Sequence, residues 1–377
     1  MKIAHIITGL GDGGAEHTLY KICKYDIKNK HFVCSLGGKD KYFSLLSKLG
    51  IKVYCLNLTF FTFYKVYFLM KFLRSLKPDI VQTWLVHADL IGSLSAKLAG
   101  IKNIVWNIRY SNLEFKKTKL NTFIILQLLS KLSYFLPKLI IVVSNQAKNF
   151  YKKKGFDKNK LKFIPNGYDL SVLKVDKSKK KNLKKKFNTK SNITLIGKVA
   201  RYDLLKDHSN LLNALSLVRL KNSNFLCILV GNKINNNHRL KVQINKLRLK
   251  KFVKLLPPVK SISEIMNVID INIQSSSSEG FPNVIAEAMA LETPCVATNV
   301  GDTSLIIGRT GRIVPPKDHF KLAEAILKSI YEFKKKKKFW KKKCIQSRLR
   351  IKTKFDISKM INAYNNSWLG VIRKNHK

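Results

Sequence analysis

Short runs of β-branched and apolar residues alternate with longer segments of helical spacing along the first half of the chain. The runs at residues 2–7, 32–35, 52–56, 80–83, 103–107 and 139–143 read as strands. Segments at 16–25, 63–76 and 88–98 lie between them and read as amphipathic helices. Strand and helix in alternation imply βαβ crossovers and a parallel sheet. From about residue 170 to 191 the pattern lapses into a lysine-rich polar stretch, the expected linker. It restarts with strands at 192–199, 225–230, 253–255, 271–274 and 294–297. The expected fold is α/β, with two doubly wound Rossmann-like domains at 1–169 and 192–355 facing across a cleft, and a final segment at 356–377.

The strand at 271–274 runs into Ser275-Ser276-Ser277-Ser278-Glu279-Gly280-Phe281-Pro282-Asn283 and then into a helical segment that carries Glu287. Serine, glycine and proline switch strand to helix, and Pro282 suits the first helical position because the N–H it lacks is not needed there. Glu279 is therefore expected in the loop at the strand's C-terminal end. Glu287 is expected on the helix, one turn beyond Asn283 and on the same face. Between the two carboxylates lie the N–H groups of a helix N-terminus, which favour an anion such as phosphate. Two hydroxyl-binding carboxylates around a phosphate seat describe a site for a sugar nucleotide.

Glu279-Gly280-Phe281-Pro282 followed by Glu287 resembles the E-x7-E signature of retaining glycosyltransferases of family 4, which have the two-domain GT-B fold. Residues 142–145, 163–169, 197–203, 206–208, 293–301 and 311–316 resemble further motifs of that family, in order, over nearly the whole chain. The resemblance implies a first domain on the acceptor side, a second that binds the nucleotide sugar, and a last helix, 357–372, that returns to the first. It implies transfer with retention from a UDP- or GDP-sugar, without cofactor or metal. The implied acceptor is a saccharide or polyprenyl-linked saccharide of cell-surface polysaccharide or lipopolysaccharide assembly. Glu287 would hold the ribose hydroxyls and Glu279 the hydroxyls of the transferred sugar, with Gly280, Phe281, Pro282 and Asn283 around the same substrate.

Arg201 and Lys206 follow the first strand of the second domain. A sugar nucleotide's leaving group is a dianionic diphosphate, and breaking its bond to the sugar adds charge to it. Two fixed cations there stabilise the transition state more than the ground state, and their spacing matches the family's phosphate-binding pair. No D-x-D occurs and the histidines look too scattered for a metal site, so the cations would replace a divalent ion. His87 lies just past a strand end, where sites sit in this fold class, and the family places such a histidine near the reacting sugar. Asp89 reads as a helix cap. Arg109 ends another strand and could touch the acceptor or a phosphate. Asn166 and Gly167 resemble the family's cleft turn, or form an ordinary turn.

Gly9-Leu10-Gly11-Asp12-Gly13-Gly14 contains G-x-G-x-x-G, but the second strand ends in Cys34-Ser35-Leu36-Gly37 with no carboxylate for a ribose. That argues against a dinucleotide enzyme. Gly13 and Gly14 then read either as a tight turn or, by the resemblance, as a loop touching the donor diphosphate or the acceptor.

At 377 residues and 45% hydrophobic content the chain can bury two cores. Its 72 basic and 22 acidic residues leave a net charge of +50. Nucleic acid and anionic membrane are the usual partners of such charge. The lysines are spread through an Asn- and Ile-rich background, which suggests codon bias, and no RNA- or DNA-binding motif accompanies them. A specific nucleic acid is not expected. An anionic membrane surface is a candidate partner, because residues 60–74 mix aromatic and basic side chains, although a core-packed helix explains them too. The longest apolar stretch, 123–143, is broken by Lys131, Pro137 and Lys138 and reads as a buried helix and a strand. The N-terminus lacks a signal-peptide pattern, and the six cysteines show no C-x-x-C spacing. The expectation is a reduced, cytoplasmic protein, peripheral on the membrane at most. Two alternatives stand beside transfer: a non-catalytic polyanion- or membrane-binding protein on the same fold, and a GT-B epimerase or phosphorylase.

Overall fold

The computed structural model describes residues 1–59, 62, 64–109, 120–176, 178, 193–259 and 261–373. The chain divides into two compact units, Met1–Gly167 with Ile357–Lys377, and Tyr168–Asp356. The first runs β1 (Lys2–Ile7), α1 (Gly14–Tyr25), β2 (Lys30–Ser35), α2 (Lys41–Lys48), β3 (Lys52–Cys55), α3 (Lys65–Leu76), β4 (Ile80–Trp84), α4 (Val86–Leu98), β5 (Ile104–Ile108), α5 (Leu120–Leu132), β6 (Leu139–Val142), α6 (Asn145–Lys153) and β7 (Leu161–Phe163). Its strands are parallel in the order β3-β2-β1-β4-β5-β6-β7. The winding therefore reverses between β1 and β4, whose register pairs Ile3 with Ile80 and Ile7 with Trp84.

Alternation along β1 explains the two layers. Ala4 and Ile6 face a core closed by Leu69 and Leu73 of α3, Ala88 and Ala96 of α4, Leu126 and Leu129 of α5, and Tyr151 of α6. Ile3 and Ile7 face the opposite core, closed by Leu19 and Ile22 of α1 and Leu46 of α2.

The second unit runs β8 (Thr194–Val199), a single 3₁₀ turn (Leu204–Lys206), α7 (His208–Lys221), β9 (Phe225–Val230), α8 (His238–Lys246), β10 (Val253–Leu256), α9 (Ile262–Met266), β11 (Ile271–Gln274), α10 (Asn283–Ala290), β12 (Cys295–Thr298), α11 (Thr303–Ile307), β13 (Arg312–Val314), α12 (His319–Lys335) and α13 (Lys337–Lys354). Its parallel order is β10-β9-β8-β11-β12-β13, with the reversal between β8 and β11. The last helix, α14 (Ile357–Arg373), belongs to the first unit and joins the α1–α2 layer through Met360, Tyr364 and Trp368. Two buried polar contacts fix its rotation: Trp368 Nε1 donates to Gln82 Oε1 at 2.7 Å, and Asn107 Nδ2 donates to the Tyr364 hydroxyl at 2.8 Å. An indole or phenol can be buried this deeply only with its polar end matched.

Several expectations are corrected. The strands β7 and β13, three residues each, are too short to show a period in the sequence. The basic run at 334–343, whose lysines alone would read as the solvated face of one helix, is split between two, since α12 ends at Lys335 and α13 begins at Lys337. Pro282 is the residue before α10, not its first residue. Asp89 does not cap α4: it is fully buried, accepts a 2.6 Å hydrogen bond from Thr83 Oγ1, and burial pushes its pKa well above the usual carboxylate range. The helix α5 is not buried but amphipathic, with Ile124 57% and Leu128 45% exposed. The expected linker lies largely outside the described residues, which resume at 193 after Ser178, and Phe60, Phe61 and Phe63 also lie outside them.

The histidines are also less scattered than they look. His5, Cys23 and His31 place one ligand atom each within 4.8 Å of one another inside the first unit. Hydrogen bonding assigns them to packing. Trp84 Nε1 donates to His5 Nδ1 at 3.2 Å, which puts the His5 proton on Nε2, 2.9 Å from His31 Nδ1. His31 Nε2 in turn lies 3.2 Å from Asp26 Oδ2. With both His5 nitrogens engaged, that ring has no lone pair for a metal. Burial, and next the Asp26 carboxylate, push the Cys23 thiol up and away from the thiolate a metal requires.

Candidate functional site

In an open parallel sheet the loops on either side of the winding reversal diverge and leave a crevice at the strands' C-terminal ends. In the second unit those are the loops after β8 and β11, which carry Arg201 with Lys206, and Glu279. Asp203 starts the Lys206 turn by accepting from Leu205 N at 2.9 Å. Asp207, in the left-handed region at φ 43°, then caps α7 by accepting from Asn210 N at 3.0 Å. The serine loop is stitched to this turn: Ser277 N donates to Leu205 O at 2.8 Å and Ser275 Oγ to Asp207 O at 2.7 Å.

These stitches bring the predicted cation and carboxylate together. Lys206 Nζ and Ser276 Oγ both donate to Glu279 Oε1, at 2.6 and 2.7 Å. Arg201 is mostly exposed and pairs with Asp203 at 3.2 Å, an ion pair of little worth to stability in water. A cavity of 360 Å³ opens here, lined by Lys198, Arg201, Lys206, Gln274, Ser276, Glu279, Phe281, Pro282 and Asn283 among others. Its charged lining is three cations against one carboxylate, the balance that suits an anion carrying hydroxyl groups. Phe281 is buried against Phe355 with ring centroids 5.6 Å apart, and Asn283 Oδ1 accepts from the Tyr168 hydroxyl at 2.6 Å. Glu287 stands on α10 one turn past Asn283, half-buried, and does not line this cavity.

Two glycines hold the loops in place. Gly301, at φ 58°, sits where a Cβ would come within 2.2 Å of Gly280 O, and Asp302 N donates to that same carbonyl at 2.9 Å. Gly231 backs the other loop, where a Cβ would meet Ala200 O at 2.2 Å.

A second cluster forms in the first unit at the corresponding reversal. Thr8 Oγ1, after β1, accepts from Ala88 N at 3.3 Å and so fixes the start of α4, where His87 lies half-buried. Arg109, past β5, donates to Asn166 Oδ1 and, at 2.8 Å, to Thr18 Oγ1. Thr18 also donates to Gly14 O at 2.8 Å. The predicted residues Gly14, Arg109 and Asn166 thus meet through a threonine that the sequence did not single out. Gly13 precedes α1 as its N-cap, with Glu16 beside it.

The larger cavity of the second unit, 980 Å³, lies at the N-terminal ends of the strands, where Asn224, Ile269 and Thr293 precede β9, β11 and β12. That is the wrong end of a parallel sheet for its site. Lys198 is the residue most clearly missed from the sequence. A lysine inside the apolar run Thr194-Leu195-Ile196-Gly197-Lys198-Val199 was the available signal.

The family description "Glycosyltransferase Family 4" matches residues 12–172, and "Glycosyl transferases group 1" matches 179–344. The chain belongs to the family 4 type of GT-B glycosyltransferases. It is 27% identical over 262 residues to the Staphylococcus aureus capsular polysaccharide biosynthesis glycosyltransferase CapM, covering 67% of this chain and 68% of CapM. It is 26% identical over 247 residues to an Escherichia coli UDP-Gal:alpha-D-GlcNAc-diphosphoundecaprenol alpha-1,3-galactosyltransferase, covering 63% of this chain and 62% of that one. Among solved structures, Anabaena HepE in complex with UDP and glucose superposes with a TM-score of 0.85 over 98% of this chain and all of HepE, at 21% identity. WaaG, a glycosyltransferase involved in lipopolysaccharide biosynthesis, superposes with a TM-score of 0.69 over 96% of this chain and 98% of WaaG, at 12% identity. At these identities the superpositions establish the GT-B fold of this family member.

Because Gly301 leaves no room for a side chain under the Glu279 loop, Gly301→Ala should lower the unfolding free energy by about 1–3 kcal/mol. Urea titration of the variant checks this, and an unchanged midpoint would show that the loop does not rest on Gly301.

Proposed function

We propose that the chain transfers a sugar from a UDP- or GDP-sugar to a saccharide or polyprenyl-linked saccharide, with retention of configuration and without a metal. The observation that carries this is the meeting of Arg201, Lys206 and Glu279 in one cavity at the reversal between β8 and β11. The donor diphosphate would lie against Arg201 and Lys206, its sugar hydroxyls at Glu279 and its ribose towards Glu287. The bond from the anomeric carbon to the phosphate oxygen breaks, and its electron pair stays on the diphosphate, where the two cations stabilise it. The acceptor oxygen bonds to the same face of that carbon, and its proton passes to the leaving phosphate, so no separate base is required. His87, Gly13, Gly14, Arg109 and Asn166, at the strand ends of the first unit, are our candidates for the acceptor and the remaining donor contacts. The CapM and E. coli relatives, named for capsular polysaccharide and for a diphosphoundecaprenol-linked acceptor, support that acceptor class.

A lipid-borne acceptor requires contact with a membrane, and among the described residues no helix is long and apolar enough to cross one. We infer peripheral attachment to the inner face of the cytoplasmic membrane through the outer side of α3, α4 and α5. These helices cover one face of the first sheet and expose Tyr67, Phe68, Leu94, Leu98, Ile124 and Leu128. Lys71, Arg74, Lys97 and Lys131 are exposed on the same helices. Their only carboxylate, Asp89, is fully buried. An apolar surface on helices whose exposed charges are all cations suits an anionic lipid surface.

Arg201→Ala is the cleaner test of the cations, because removing Lys206 would also take from the largely buried Glu279 the cation it pairs with. The barrier to transfer should rise by about 2.7–4 kcal/mol, by analogy with loss of one oxyanion donor. Turnover should persist in EDTA; loss on chelation with recovery in Mn²⁺ or Mg²⁺ would refute this account of the leaving group.

Vesicle co-sedimentation tests the attachment. Binding to vesicles containing anionic lipid should weaken with salt, and Phe68→Asp with Leu128→Asp should reduce it by about tenfold or more. Equal binding of the double variant would place the contact elsewhere.

A further inference from the structure

Lys198 has no part in the transfer chemistry above, yet it is the only buried lysine among the described residues, at 2% exposure. It projects from β8 beneath the cavity and lines it together with Arg201, Lys206 and Glu279. Its ammonium donates to the backbone carbonyl of Lys206 and, at 2.6 Å, to Ser275 Oγ. One buried group therefore joins the turn that carries one predicted phosphate ligand to the loop that carries the predicted sugar ligand. Among the described residues no carboxylate hydrogen-bonds to it.

We propose that Lys198 is an anion-responsive positioning residue of the donor pocket: its buried amino group ties the Lys206 turn to the serine loop, and a nucleotide diphosphate seated above it makes this group take up a proton as it binds. This rests on the reading of the pocket as a nucleotide-sugar site and adds to it a proton-linked control.

The charges around Lys198 set the direction. Burial, and next the Lys206 charge, hold the amine down at about 7, while the Glu279 and Asp207 carboxylates act the other way. His208, packed nearby, is itself held down to about 3 by burial and then by Lys198 and Lys206, so it contributes no charge near neutral pH. The Cys227 thiol is pushed up to about 12 by burial and stays neutral as well. Lys198 is thus the group poised to change charge there. A diphosphate brings negative charge into the pocket and raises the amine's pKa. Above pH 7 the free protein must then gain a proton on binding, and affinity must fall as pH rises.

Isothermal titration of the whole chain with UDP-glucose, in buffers of different ionisation enthalpy, measures that proton. The pyrophosphate of UDP-glucose has no proton to gain near neutral pH, so the uptake belongs to the protein. At pH 8 we expect uptake approaching one proton per donor, and affinity falling by up to about tenfold per pH unit above 7. Lys198→Met should bind without uptake and with a flat pH profile. Lys198→Arg, which stays charged, should also show no uptake but keep tighter binding at high pH. Wild-type binding without proton uptake, or uptake that persists in Lys198→Met, would overturn the proposal while leaving the donor reading intact. Failure of both UDP-glucose and GDP-mannose to bind would overturn both.

Discussion

The donor pocket depends on a single constraint: two loops that leave adjacent parallel strands in opposite directions must still be held side by side. The sheet reverses its winding between β8 and β11, so the helices that follow these strands pack on opposite faces and cannot hold the loops together. Hydrogen bonds do so instead. Ser277 N to Leu205 O, Ser275 Oγ to Asp207 O and the Lys198 ammonium to both sides close the gap. The 2.6 Å contact of Lys206 with Glu279 is the outcome of that stitching more than its cause. Desolvation offsets much of the attraction in a largely buried ion pair, whereas buried backbone carbonyls left unmatched would carry their full cost.

Much of this was legible in the sequence because strand period and turn chemistry agreed. The run at 271–274, then serines, glycine and proline, then an apolar helix, fixed a loop at a strand end whatever the tertiary context. The family 4 resemblance added the pairing of that loop with Arg201 and Lys206, which spacing alone does not give. What was not legible is what depends on contacts distant in sequence. Asp89 has a cap's position in the chain, but its side chain is turned into the core, where Thr83 hydrogen-bonds to it and burial pushes its carboxyl up. His5 and His31 stand 26 residues apart and meet only because β1 and β2 pair in register. The apolar richness of α5 suggested burial, and the structure turns part of it outward.

The charge of +50 also has a structural side. With 72 basic residues and 22 acidic ones, most cations have no carboxylate to pair with and must face water or an anion. Lys198 is buried with its amine on a carbonyl and a hydroxyl oxygen, and burial together with the nearby Lys206 charge holds its pKa down. The outer side of α3, α4 and α5 shows the same scarcity of carboxylates at a larger scale.

A crystal structure with UDP-glucose would test the central claim most directly. The account predicts diphosphate oxygens within hydrogen-bonding distance of Arg201 and Lys206, with the ribose directed to Glu287 and the glucose to Glu279. A nucleotide seated instead in the 980 Å³ cavity beside Tyr331 and Trp340, at the opposite end of the same sheet, would contradict it.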